Sequence, residues 1–324
     1  KKKRKLFDSR LFETCFYAIF GHQKINKCIG SMKKTTQLVV LFLIMVLFLP
    51  LTLQAGNPWV RAKGAGFSQL SFNYIRSDQL FHKDLGTVQL NRFVTDATLQ
   101  TYLEYGITDK LTVLGVLPFK FTATSDAISE NAENTNFDEV LSAGNFNKLG
   151  NISVAAKYGL ITNKSIVAAT QLRLDLPSKA FDASTGLRTG YNAVGVSPSL
   201  SVGYGTNHFF ASAEIGLTFR SNQYSSAVFG NAEFGYNHKN RFYAILVVDA
   251  TRSFFNKNRD NLDGNALQTG LFVNNQHYFV FGLKLLHNVT DNFGVGVSAY
   301  GAAIYSHQLA KFPSVGANIY WKWD

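Results

Sequence analysis

One short phrase recurs along the chain and limits its fold more than any other feature. Tyr105-Gly106-Ile107-Thr108-Asp109-Lys110-Leu111 is the first copy, and Tyr158-Gly159-Leu160-Ile161-Thr162-Asn163-Lys164 the second. Tyr204-Gly205-Thr206-Asn207-His208-Phe209, Tyr236-Asn237-His238-Lys239-Asn240-Arg241-Phe242 and His287-Asn288-Val289-Thr290-Asp291-Asn292-Phe293 follow. Each sets a ring ahead of Gly, Asn, Asp or Thr residues that accept tight-turn dihedrals, then restarts an alternating pattern. Longer polar stretches lie between the copies. Five short turns at one end, long loops at the other and both termini on one side predict twelve strands.

The alternation supports this reading. Ile166, Ala168, Leu172, Leu174 and Leu176 share one parity, against Gln171, Arg173 and Asp175 on the other. Phe209, Ala211, Ala213, Ile215, Leu217 and Phe219 oppose Ser212, Glu214 and Arg220, and Phe242, Ala244, Leu246 and Val248 oppose Asp249. A side-chain period of two places such sets on opposite faces of a sheet. The predicted strands are 65–76, 92–106, 110–122, 150–160, 165–177, 192–204, 208–220, 227–237, 241–253, 269–287, 293–307 and 314–323. A soluble sandwich would turn the apolar face inward. Rings at the turn ends match the interfacial girdle of a lipid-facing barrel instead, and closure leaves no open sheet edge in lipid. The predicted class is all-β: a transmembrane antiparallel up-and-down β-barrel of about twelve strands.

Composition removes other classes. The net charge of +11 suggests a nucleic-acid binder, but it sits at the start of the chain. Residues 1–31 carry +6 and Lys33 and Lys34 add +2, leaving only +3 on residues 56–324. No nucleic-acid partner is therefore expected. Both cysteines, Cys15 and Cys28, also lie before the body, which has neither disulfide nor thiolate chemistry.

The start of the chain reads as an address. From Met32, two lysines precede the apolar stretch Leu38–Leu49, then Pro50, then Ala55 before Gly56. That is the layout of a secretory signal peptide over residues 32–55. The competing reading is an uncleaved anchor, but the run Leu38–Leu53 contains a proline and falls short of the ~18–20 residues of a span. Residues 1–31 read as an upstream extension outside the mature protein, and 56–324 as the barrel.

Trp59, Lys63-Gly64-Ala65-Gly66-Phe67, the run Tyr102-Leu103-Glu104-Tyr105-Gly106-Ile107-Thr108-Asp109-Lys110-Leu111-Thr112-Val113 and Leu117-Pro118-Phe119 carry a resemblance. They resemble a family of small Gram-negative outer-membrane barrels described as transporters, or as phenol-degradation (meta-pathway) barrels. The resemblance spans residues 57–324 and implies the Gram-negative outer membrane and a transport-like role, without naming a substrate. Related phrasing occurs in long-chain fatty-acid channels, which hold an N-terminal hatch in the lumen. Here only about nine residues separate Gly56 from the first strand. The chain closes on Trp323-Asp324, where an assembly signal usually ends in an aromatic residue, yet Val315, Ala317, Ile319, Trp321 and Trp323 still share one apolar face.

Strand parity turns Glu104, Lys157, Arg173, Asp175, Glu214, Arg220, Glu233, Asp249 and Lys284 inward. On the lipid face each would cost about 2–4 kcal/mol near the midplane. Either these groups line a polar pore and set its selectivity, or they pair across the lumen and fill it. The loop Ala123–Lys148 is acidic (Asp126, Glu130, Glu133, Asp138, Glu139). It reads as a solvated surface, a constriction at the mouth, or a divalent-cation site beside lipopolysaccharide. Asn258–Gly264 lacks the alternating ligands of a calcium loop and reads as a turn.

No catalytic, cofactor or metal motif stands out. Ser306 and His307 lie near the outer end of the eleventh strand, but adjacent strand residues point to opposite faces. His208, His238 and His287 fall at the periplasmic turns. The leading expectation is therefore a passive channel or transporter for small solutes, not an enzyme and without a cofactor. Its partners would be outer-membrane lipid and lipopolysaccharide, the solute and the barrel-assembly machinery. The alternatives are a closed structural or adhesive barrel that binds partners through its outer loops, and an outer-leaflet lipid hydrolase.

Overall fold

The computed structural model describes residues 57–82, 86–125, 142–162, 164–256, 269–302, 306–307, 309–311 and 313–324. Their strand segments are β1 (Gly66–His82), β2 (Gly86–Thr108), β3 (Leu111–Thr124), β4 (Gly144–Leu149), β5 (Ser153–Ile161), β6 (Ile166–Asp175) and β7 (Gly195–Gly205). β8 (Phe209–Arg220), β9 (Ala227–His238), β10 (Phe242–Ser253), β11 (His277–Asn288), β12 (Phe293–Ala302), β13 (Leu309–Ala310) and β14 (Ser314–Trp323) complete the sheet. Every pairing is antiparallel. β1 pairs with both β2 and β14, from Gly66↔Tyr105 and Gly66↔Trp323 upward, so the sheet closes.

Fourteen segments make twelve wall strands. β4 and β5 both pair with β3, against Phe119–Thr124 and Leu111–Val116, and β13 and β14 both pair with β1. The break between β4 and β5 has a local cause. The Pro118 carbonyl accepts the Gly150 amide at 2.9 Å, and the Pro118 nitrogen on the same strand edge has no hydrogen to donate. The ladder loses a bond there, and Gly150–Ile152 step out of the strand.

The turn phrases close by side-chain capping. Leu111 donates its amide to Thr108 Oγ1 at 3.0 Å, Phe209 to Thr206 Oγ1 at 3.0 Å, and Phe293 to Thr290 Oγ1 at 2.9 Å. Asn237 Oδ1 accepts the Asn240 amide at 2.8 Å in the fourth turn, where Lys239 and Asn240 both have φ of 54°. That is the mirror-image two-residue turn that matches strand twist.

Outside, the wall is apolar. Leu172, Leu200, Leu246, Phe281 and Val297 are all more than half exposed, while their sequence neighbours face in. Tyr105, Tyr158, Tyr204 and Tyr236 stand exposed just before the turns, as one belt. A wall with an apolar exterior and rings at its end is solvated by lipid, not by water.

Three boundaries depart from expectation. The tenth wall strand begins at His277 rather than 269, because Thr269–Gln276 fold as turns at the outer mouth. Gly144–Lys148, expected as loop, belong to β4; their Asn- and Lys-rich alternation hides a strand held by backbone pairing. The first hairpin runs on to His82 and Gly86, past a register shift at Ser77–Gln79, and buries Leu80, Leu90 and Val94 beside Leu271 and Ala310. Residues 126–141, with the acidic loop residues Asp126, Glu130, Glu133, Asp138 and Glu139, lie outside the described residues, as does 258–264.

Candidate functional site

The barrel interior is polar and charged. Thr112, Thr122, Ser153, Ser197, Ser199, Ser201, Ser212, Thr218 and Asn231 are buried there. Strand β7 shows the pattern most simply: Gly195, Ser197, Ser199, Ser201 and Gly203 face in, while Val196, Pro198, Leu200, Val202 and Tyr204 face out.

A segment of the chain itself crosses the periplasmic mouth. Asn57–Gly64, just ahead of β1, lie across the short-turn end of the lumen. Pro58 is fully buried, and Trp59 meets Phe210 edge-on at 6.1 Å. The Arg61 amide donates to Thr112 Oγ1 at 2.8 Å, and the Lys63 amide to Asp109 Oδ1 at 3.0 Å. Two glycines make room for it. A Cβ on Gly106 would run into the Ala62 carbonyl, and one on Gly203 into the rings of Pro58 and Trp59.

Charge fastens this segment. Arg61 Nε donates to Glu104 Oε2 at 2.6 Å, and Lys157 Nζ lies 3.2 Å from Glu104 Oε1. Tyr102 donates its hydroxyl to Glu104 Oε1 at 2.6 Å, and Lys157 Nζ also donates to the Asn57 carbonyl at 3.1 Å. Glu104 and Lys157 are each 1% exposed. One carboxylate thus holds two cations, one from the wall and one from the segment. A buried pair in this setting is costly to break, because either partner alone would be an uncompensated charge.

The remaining residues predicted to face the lumen fall in four groups. Arg173 Nε lies 3.0 Å from Asp175, and its terminal nitrogen donates to Ser197 Oγ at 3.2 Å. Lys284 Nζ pairs with Glu233 at 2.6 Å. Arg220 lies over the Tyr191 ring at 4.7 Å and donates to the Ser225 carbonyl at 3.3 Å. Glu214 and Asp249 sit mid-wall on β8 and β10, opposite the same residue, Asn231 of β9.

The outer mouth is narrowed by loops. Leu187, Thr189, Tyr224 and Val273 are almost fully buried there, and Tyr191 meets both Tyr224 and Phe272 edge-on at 5.3 Å. Asn151, in the break between β4 and β5, pins this cap. Its amide nitrogen donates to the carbonyls of Leu176 and Tyr191 at 2.7 and 2.8 Å, and its oxygen accepts the Tyr191 amide at 2.7 Å.

Sequence reasoning missed several charged residues here. Lys120 pairs with Asp96 at 2.7 Å and lies 5.0 Å from the Phe272 ring. Strand parity would have found both, since Asp96 shares the parity of Glu104 and Lys120 opposes Phe119 and Phe121. Arg61 carried no such signal, because residues 57–63 do not alternate. Arg92, also buried, donates to the Thr185 carbonyl at 2.9 Å.

Ser306 and His307 do not form an isolated rim pair. Ser306 Oγ accepts the Phe279 amide at 3.4 Å, and the His307 ring packs 4.6 Å from His82 and 5.2 Å from His277. Among the described residues, no group of three His, Cys, Asp or Glu side chains is placed to hold a metal ion.

One solved structure shares this fold. An outer membrane channel from Pseudomonas putida F1 superposes with a TM-score of 0.61 at 13% identity, covering 84% of this chain and all of that one. The β domain of the Bordetella autotransporter BrkA is a more distant likeness (TM-score 0.47, 15% identity, 81% and 100% covered). The NanC porin is another (TM-score 0.46, 8% identity, 79% and 100% covered). No curated protein matches the chain. The family model described as "Putative MetA-pathway of phenol degradation" matches residues 83–303. A closed twelve-strand barrel with an apolar exterior and a ring of tyrosines at its turns, this chain belongs to that family and to the Gram-negative outer membrane.

Proposed function

We propose that the chain is a passive channel for small solutes, whose charged lumen is closed at the periplasmic mouth by Asn57–Gly64. The observation that carries this reading is the contrast between an apolar exterior and an interior set with Glu104, Lys157, Arg173, Asp175, Glu214, Arg220, Glu233, Asp249 and Lys284. A purely structural barrel gains nothing from so many buried charges, which are expensive to desolvate. A conduit uses them, because fixed charges of both signs discriminate among solutes by charge and polarity. The solved channel from Pseudomonas putida F1 with the same fold supports the reading.

Residues 32–55 act as the signal peptide in this proposal, and 56–324 as the mature barrel, with 1–31 upstream of it. The apolar belt meets outer-membrane lipid, and lipopolysaccharide lies on the outer side. The final strand, with Trp321 and Trp323, is what the assembly machinery would read. The mechanism is diffusion, with no cofactor and no chemical step.

The buried outer cap favours a second reading. Leu187, Tyr224 and Val273 make the outer loops a packed surface, as a closed adhesive barrel would need. Reversal potentials in a salt gradient separate the two. With Arg173→Glu and Glu214→Lys, a channel shifts its ion selectivity in opposite directions. A closed barrel passes no current in parent or variants.

A further inference from the structure

Halfway down the lumen, two carboxylates flank one residue of the wall without a counter-charge of their own. Asp249 of β10 and Glu214 of β8 stand opposite the same β9 residue, Asn231, and all three face inward. Asp249 is 0% exposed and Glu214 4%. Both Asp249 oxygens and Glu214 Oε2 have no hydrogen-bond partner. The nearby bases are engaged elsewhere: Lys284 with Glu233 at 2.6 Å, Arg173 with Asp175 at 3.0 Å, and Lys157 with Glu104 at 3.2 Å. The residues paired with the two acids in the sheet are uncharged: Ser201 and Asn231 beside Glu214, and Asn231 and Val280 beside Asp249.

Buried carboxylates left in this state call for a cation or a proton. The number and kind of free acceptors choose between candidate cations. Three unpartnered acceptor atoms come from two strands that flank Asn231, and a primary ammonium has three N–H donors. A chelated metal ion would ask for a larger set of acidic or imidazole ligands, and no group of three is so placed among the described residues. We infer that Asp249 and Glu214 form a binding site for a primary ammonium group, carried by a cationic solute within the lumen. Charge attracts the solute, and the three donors distinguish it from cations of equal charge that cannot donate. The inference concerns binding and stands apart from whether solute crosses the barrel.

The test therefore uses no current. The refolded full chain in detergent micelles is titrated with methylammonium chloride, and with tetramethylammonium chloride at equal ionic strength, while the unfolding temperature is followed. Methylammonium should raise the midpoint saturably by several degrees, with tetramethylammonium producing no more than the general salt effect. Calorimetric titration of the same folded protein should show one saturable site for methylammonium. In Asp249→Asn/Glu214→Gln both responses should disappear, while the fold, read from heat-modifiable gel mobility, is kept. Equal responses to the two salts would overturn the proposal. So would a methylammonium response that survives in the double variant, or a double variant that is simply more stable beside a parent that binds neither salt, since the acids would then carry protons.

Discussion

Arg61 and Glu104 lie 43 positions apart in the chain, yet Arg61 Nε is 2.6 Å from Glu104 Oε2 at the periplasmic mouth. This contact ties the short segment ahead of β1 to the barrel wall. The same carboxylate also neutralises Lys157 and accepts the Tyr102 hydroxyl, so wall and segment share one buried charge.

Glu104→Ala removes the centre of that network and leaves Lys157 buried without a carboxylate. A loss of about 3–5 kcal/mol is expected for breaking a buried pair from one side. The check is the temperature at which the barrel loses its heat-modifiable mobility on a gel. A drop that Glu104→Asp partly restores would fit; no drop would remove the network from the account.

Gly203→Leu tests the seat of the segment. A side chain at this position collides with Pro58 and Trp59, so the segment should be expelled while the wall is kept. Limited trypsin digestion reads this directly, because expulsion frees the backbone at Arg61 and Lys63, whose amides are otherwise held by Thr112 and Asp109. The variant should be cut there many times faster than the parent, with the barrel body resistant.

Leu200 and Gln171 test which face meets lipid. Leu200 is 57% exposed on the outer wall, whereas Gln171 has inward parity on β6. Leu200→Arg should cost about 2–4 kcal/mol of stability in bilayers, the expense of an arginine near the midplane. Gln171→Arg should cost much less. Urea unfolding in lipid vesicles measures both, and equal costs would contradict the assigned faces.

Lys239 sits in the left-handed region, with φ of 54°, in a turn that glycine fits without strain. Lys239→Gly should stabilise the barrel by about 0.5–1 kcal/mol. The same urea titration would show it as a higher midpoint with an unchanged slope.

Much of this architecture is legible residue by residue. Thr108, Thr206 and Thr290 mark their turns because a hydroxyl there can accept the amide three positions on. The tyrosines before the turns mark the lipid interface, and parity separates the charged residues from the apolar face. What could not be read depends on partners far away in sequence. Residues 57–63 have no period, and their place is set by Gly106, Gly203 and Glu104, which leave space and charge for them. The break at Gly150 comes from Pro118 on another strand, whose missing hydrogen matters only once the register is known. Asp96 and Lys120 are legible by parity, since Asp96 shares the parity of Glu104 and Lys120 lies between Phe119 and Phe121.

The central claim is a charged conduit that Asn57–Gly64 closes, and single-channel recording tests it most directly. The parent and Trp59→Ala/Arg61→Ala would be reconstituted in planar bilayers under the same salt. The account predicts rare or small steps from the parent and larger, longer openings from the variant. Identical traces from the two, or a folded variant that never conducts, would contradict it.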